Sequence, residues 1–199
     1  MAELTSVQLD ALKEMGNIGA GNAATSLAQL IGEMVSSSVP EVNVMPIASV
    51  AQALGGEEKQ VYIIYLEVEK DMQGTMLTIF SEETAIFFVK KLLGSIEIDM
   101  TSDIAQSALK EAGSILCGSY LSALSQLVNM SSVATVPAMA FDMLGAMLDF
   151  VLVEIGQIAD EVFLVNTELY VSQKKLECSQ LFLPKPDTLE KILTSLGMM

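Results

Sequence analysis

The chain has 199 residues, 51% of them hydrophobic and 18% charged, enough for one large buried core or two small ones. Its net charge of −15 argues against nucleic acid or an anionic membrane surface as partner, because proteins meet such polyanions with clustered Lys and Arg. It contains no His and no Arg, which excludes a Ser-His-Asp triad, His-ligated metal sites and an arginine finger.

The N-terminus, Met-Ala-Glu-Leu-Thr-Ser, lacks the basic stretch and apolar run of a secretory signal. The first predicted element is a long helix from about Ser6 to Glu33, with Thr5 or Ser6 as N-cap and Gly32 near its end. After Pro40, Val42 to Ile47 has strand character. Val61 to Val68 and Thr75 to Phe80 form a hairpin rich in β-branched and aromatic residues. Ser81-Glu82-Glu83 supplies a cap and an acidic first turn for a helix that stops at Gly94.

The second half repeats that order. Asp103 to Leu127 is a second long helix, Ser132 to Pro137 is strand-like, and Ala140 to Val153 is expected as an inserted short helix. Within that stretch, Met143 to Val153 is interrupted by Asp149 and is too short to span a bilayer, which takes roughly 20 residues. Val162 to Val171 and Cys178 to Leu183 form another hairpin, and Asp187 to Leu196 closes the chain as a helix after Pro186. Cys117 and Cys178 are too few for a disulfide framework and suit buried thiols in a reducing compartment, so a soluble cytoplasmic protein is expected. No Pro/Gly/Ser-rich linker divides the halves. The expected fold is therefore one mixed α/β domain of the α+β kind over residues 1–199, built of two repeats, about 1–98 and 99–199. Pseudo-twofold symmetry would join the hairpins in one mostly antiparallel sheet, with the two long helices on one face and shorter helices besides.

The duplication has a sharp core. Asp10-Ala-Leu-Lys-Glu14-Met-Gly-Asn17 returns 97 residues later as Ser107-Ala-Leu-Lys-Glu111-Ala-Gly-Ser114, and a proline, Pro40 or Pro137, follows each copy at the same distance of 23 residues. Stepping about 100 degrees per residue from Asp10, Glu14 falls near 40, Asn17 near −20 and Gly21 near 20. Asp10, Glu14, Asn17 and Gly21 thus share one narrow polar stripe on an otherwise apolar helix, and Ser107, Glu111, Ser114 and Gly118 reproduce it. Surface positions are weakly constrained by folding, so a stripe kept at equal spacing in two diverged halves marks a site.

The carboxamide of Asn17 offers a donor and an acceptor but no useful pKa, so it can orient a water and cannot be its general base. That suffices where the leaving group is already good, as in an acyl phosphate, and where in-line positioning supplies most of the acceleration. Glu14, one turn away, suits a Lys on a partner's surface, and Gly21 allows another backbone to come close.

These motifs, with Gly16-Asn-Ile-Gly-Ala-Gly-Asn-Ala-Ala24, Gly118-Ser-Tyr-Leu-Ser-Ala-Leu124 and the ending Leu183-Pro-Lys-Pro186, resemble the CheC branch of the CheC/CheX/FliY family of chemotaxis phosphatases. The resemblance covers essentially the whole chain. It implies hydrolysis of the aspartyl phosphate of the response regulator CheY, with Asn17 inserted to position the water and Glu14 contacting the regulator's lysine. It implies no cofactor of the chain's own, since Mg2+ would belong to CheY. It also implies a second partner, the receptor deamidase CheD, docked through Ala140-Phe-Asp-Met-Leu-Gly-Ala-Met-Leu148, with Phe141, Asp142 and Leu144 as contacts. The chain departs from the family pattern at Ser114, whose short hydroxyl cannot reach or hold a water as Asn does, so Glu111 with Ser114 is expected to be a weakened or binding-only site.

Two other readings compete. Gly19-Ala-Gly21-x-x-Ala24 superficially matches a dinucleotide fingerprint, but that motif needs a strand directly before its glycines, where this sequence is helical. The stronger alternative is a binding module without significant turnover: an adaptor that binds CheD and CheY, or a relative of the flagellar switch phosphatase FliY, whose extra motor-binding segments have little room in 199 residues.

Overall fold

In the computed structural model, which describes residues 6–94, 97–155 and 161–197, the chain runs α1 (Ser6–Ile31), β1 (Val35–Ser37), β2 (Glu41–Pro46), a 3-10 turn (Ile47–Ser49), α2 (Val50–Ala53), β3 (Gln60–Lys70), β4 (Gly74–Ser81) and α3 (Glu82–Leu93). It continues with α4 (Asp103–Val128), β5 (Ser132–Ala134), β6 (Ala138–Met143), α5 (Leu144–Ile155), β7 (Glu161–Val171), β8 (Lys174–Pro184) and α6 (Pro186–Ser195). The same order of long helix, two short strands, helical segment, hairpin and helix therefore occurs twice.

Local chemistry fixes the boundaries. The Ser81 hydroxyl accepts a hydrogen bond from the Thr84 amide at 3.2 Å, capping α3, and Gly94 ends it in the left-handed conformation at φ 62°. Gly32 closes α1 the same way at φ 71°, its amide donating to the Ala28 carbonyl. The N-cap candidate Thr5 lies outside the described residues, and Ser6 is the first residue of the helix. The β7–β8 hairpin turns on only Ser172 and Gln173, both at positive φ, which matches the twist a two-residue hairpin requires.

All strand pairings are antiparallel, in the order β1-β7-β8-β4-β3-β5, with β2 also on β7 and β6 also on β3. The two hairpins meet at β4 and β8, from Gly74 opposite Pro184 to Phe80 opposite Cys178. The short strands cross over: β1 and β2 of the first half cover β7 of the second, while β5 and β6 cover β3. Each hairpin thus has its outer edge closed by the other half, where an unpaired edge would expose backbone hydrogen-bonding groups.

Side-chain alternation divides the core into two layers. Tyr62, Ile64, Leu66 and Val68 of β3 join Leu12, Leu27, Phe88, Leu116, Tyr120 and Ile192 beneath α1, α3, α4 and α6. Val61 and Ile63 instead join Val50, Leu144 and Leu148 beneath α2 and α5 on the opposite face. At the sheet's centre the Thr78 hydroxyl lies 3.1 Å from the Gly113 carbonyl oxygen, 3.1 Å from Gln180 Oε1 and 2.9 Å from Cys117 Sγ, tying α4 to both β4 and β8.

The fold corrects several expectations. Ala140 to Met143 are not helical but belong to β6, and α5 begins only at Leu144. The free edge of β3 recruits them, with Phe141 opposite Tyr62 and the two rings stacked at 4.3 Å. Apolar residues there occur at both strand and helix spacings, so periodicity alone could not separate the two. β1 and the helical residues 47–53 are too short for a periodic signal, and Ile47, expected at the end of a strand, opens the 3-10 turn instead. The strand-like stretch expected to reach Pro137 ends at Ala134.

Candidate functional site

The first stripe lies on the solvent side of α1. Asp10, Glu14, Asn17 and Gly21 are exposed, whereas Leu12, Met15, Gly16, Gly19, Ala23 and Leu27 are buried. The exposed band is broader than the stripe, since Lys13, Ile18 and Asn22 also face solvent. Lys13 Nζ stands 4.0 Å from Asp10 Oδ1, an exposed pair one turn apart and of little energetic consequence. Among the described residues, Glu14 and Asn17 have no side-chain hydrogen bond or ion pair, so both are available to a partner.

Close packing behind the stripe holds it in place. A Cβ on Gly16 would lie 2.7 Å from Val42 Cγ2 and 3.1 Å from Pro40 Cγ, so the buried Pro40 ring sits directly behind the turn that carries Glu14 and Asn17. A Cβ on Gly19 would lie 2.5 Å from Tyr120 Cδ1, which seats α1 on an aromatic ring of α4. Gly21 differs: a Cβ there meets nothing within 4 Å. The sequence signal for this support is the glycine preserved between the Glu and Asn/Ser positions of both copies, Gly16 and Gly113.

The second stripe is preserved in part. Ser107, Glu111 and Gly118 are exposed, and a Cβ on Gly118 also meets open space. Ser114 is half-buried, and its hydroxyl donates to the Lys110 carbonyl at 2.8 Å. Its hydrogen is spent on its own helix. The support differs as well: the nearest atoms to a Cβ on Gly113 belong to Ile64, at 2.8 Å, and Pro137 is only half-buried. The equal proline spacing therefore does not give equal packing.

Among the described residues, open clefts lie between the β1–β2 linker and the loop after α2, about 540 Å³, and beside Gly118 of the second stripe and Ser122, about 750 Å³. Neither contains Glu14 or Asn17. Among the described residues, no group of three or more Cys, Asp or Glu is placed to hold a metal ion. Burial pushes the thiols of Cys117 and Cys178 up to about 12, which disqualifies both as nucleophiles. What remains is a carboxylate and a carboxamide on a convex helix surface. Such a pair cannot enclose a small substrate; it can enter a site that another protein supplies.

The expected CheD contacts separate. Phe141 is 42% exposed while stacked on Tyr62, and Asp142 beside it is exposed, its carboxylate accepting from the Met143 amide at 2.7 Å. Leu144 is fully buried in the outer-face core and presents no surface to a partner in this conformation.

Residues 7–44 match the CheC-like family, a span that includes the first stripe and Pro40. Over 196 residues the chain is 33% identical to the CheY-P phosphatase CheC of Bacillus subtilis (strain 168), covering 96% of this chain and 94% of that protein. The crystal structure of Thermotoga maritima FliY superposes with a TM-score of 0.77 at 19% identity, over 98% of both chains. A chain of the CheX–CheY–BeF3–Mg2+ complex of Borrelia burgdorferi matches at a TM-score of 0.50 and 18% identity, covering 83% of this chain and 95% of that one. At such identities the two structures establish a shared fold.

Proposed function

This chain belongs to the CheC-like family, and on that premise we propose that it hydrolyses the aspartyl phosphate of the response regulator CheY. The observation that carries the reading is the pair Glu14 and Asn17, unpartnered on an exposed helix turn that is held from behind by Pro40 and Gly16. Asn17 enters the regulator's site and holds a water in line with the acyl phosphate bond, its amide donating to the water oxygen or its carbonyl accepting a water hydrogen. Attack at phosphorus forms the new P–O bond as the bond to the aspartyl oxygen breaks. The carboxylate leaves readily, so the water's proton can pass to phosphate or solvent without a general base. Glu14 pairs with the regulator's lysine and fixes the approach. Mg2+ belongs to the regulator, where it neutralises phosphoryl charge.

The test follows phosphate loss from phosphorylated CheY, with and without the chain. The unaltered chain accelerates it, and Ser114→Asn, which restores the carboxamide on the second stripe, raises the rate at saturation by up to about twofold. No acceleration by the unaltered chain would overturn the phosphatase reading.

A second role is binding of CheD through β6 and the start of α5, favoured by the exposed Phe141 ring with Asp142 beside it. An adaptor role of this kind is compatible with turnover. Unaltered chain should coprecipitate CheD and Phe141→Ala should not; equal recovery by both removes this segment from the interface. Recovery of CheD without any phosphate loss from CheY would leave the adaptor role alone. The place of action is the cytoplasm, and among the described residues no helix is long and apolar enough to cross a membrane.

A further inference from the structure

Ten large apolar side chains are exposed among the described residues, and four of them form two pairs whose members are 97 residues apart, the offset that relates the two stripes. Val7 and Ile104 are 75% and 64% exposed; Val39 and Val136 are 77% and 89% exposed. Single exposed apolar residues are ordinary on a protein surface, but recurrence at equivalent positions of two diverged halves is not. Neither solvent nor helix propensity favours Val or Ile at an exposed helical position over Lys, Glu or Gln.

Their placement points to the stripes. Three residues before Asp10, Val7 projects about 60 degrees from it and about 20 degrees from Glu14, and two helical turns, or about 10 Å, separate it from Glu14. Ile104 stands in the same relation to Ser107 and Glu111. Val39 immediately precedes Pro40, whose ring packs on Gly16 next to Asn17. Each long helix also carries a single basic residue, Lys13 or Lys110, directly before that Glu, a cation suited to a partner whose reacting group is anionic.

We propose that Val7 and Ile104 are apolar anchors of two equivalent docking faces for the phosphorylated response regulator, the first of which hydrolyses it while the second only holds it. This rests on the phosphatase reading above. A standard interface of roughly 800 Å² per partner, centred on Glu14 and Asn17, reaches Val7. Anchors buried beside a catalytic group add affinity without touching the reacting atoms. The second face keeps Ile104, Lys110, Glu111 and the open Gly118, has Ser107 where the first has Asp10, and lacks the residue that would position water.

The experiment combines steady-state hydrolysis with the stoichiometry of binding to beryllofluoride-activated CheY. Two activated regulators should bind each unaltered chain. Val7→Ser should raise KM about tenfold with kcat retained, the loss expected when one buried aliphatic anchor is removed, and Val7→Leu should restore it. Ile104→Ser should reduce the stoichiometry to one. Both positions are exposed, so circular dichroism should be unaltered. An unchanged KM in Val7→Ser, or a single regulator per unaltered chain, overturns the proposal while the phosphatase reading stands. An unaltered chain that neither binds nor dephosphorylates the regulator overturns both.

Discussion

Asn17→Ala should lower the rate of CheY dephosphorylation by about a hundredfold or more, the loss typical when one preorganised polar group is removed from a transition state. Water still reaches the acyl phosphate in the variant, but nothing holds it in line, and the chain has no His to act in its place. The side chain is exposed and without an internal hydrogen bond, and Ala is the better helix former, so the melting temperature should stay equal or rise slightly. Affinity for the regulator should fall much less than kcat, because Glu14 and the rest of the helix surface remain. Full activity in Asn17→Ala would remove this residue from the mechanism and direct attention to the second stripe.

Tyr120→Ala should cost about 4 kcal/mol of stability, read as a fall in the urea midpoint at constant slope. The ring is 2% exposed, fills the space that Gly19 leaves open on α1, and its hydroxyl bonds the buried Thr167 hydroxyl of β7. It joins both long helices to a strand of the sheet. Truncation leaves a cavity at that junction and strands the Thr167 hydroxyl; Tyr120→Phe also strands that hydroxyl but keeps the packing, and should cost only about 1 kcal/mol. A loss below about 1 kcal/mol in Tyr120→Ala would show that α1 is seated by other contacts. Because Gly19 lies two residues beyond Asn17, the turn that carries Glu14 and Asn17 should become less well held in the Ala variant, and kcat per folded molecule should fall with it.

The candidate site was legible because its signal is periodic and local. Asp10, Glu14, Asn17 and Gly21 fall on one side of a helix by geometry alone, and the structure exposes all four. Ser114 shows the limit of that method. Its chemistry marked the second stripe as weakened, but the hydrogen bond that ties its hydroxyl to Lys110 depends on the folded rotamer. Pro40 and Pro137 share a spacing yet differ in environment, because the strand that follows each proline meets a different neighbour. The expectation for residues 140–143 failed for a related reason: local pattern allowed helix or strand, and the unpaired edge of β3 decided.

By itself the sequence determined the two long helices, the two hairpins, the duplicated motif and its asymmetry at the Asn/Ser position. These rest on side-chain periodicity, cap chemistry and spacing, all of them properties of neighbouring residues. Only the tertiary structure decided that the short strands exchange between halves, that Leu144 turns inward, and that Gly16 and Gly19 press α1 onto Pro40, Val42 and Tyr120. Those outcomes depend on which distant surface is left uncovered once the hairpins have paired, a competition for burial and backbone hydrogen bonds that no local window contains.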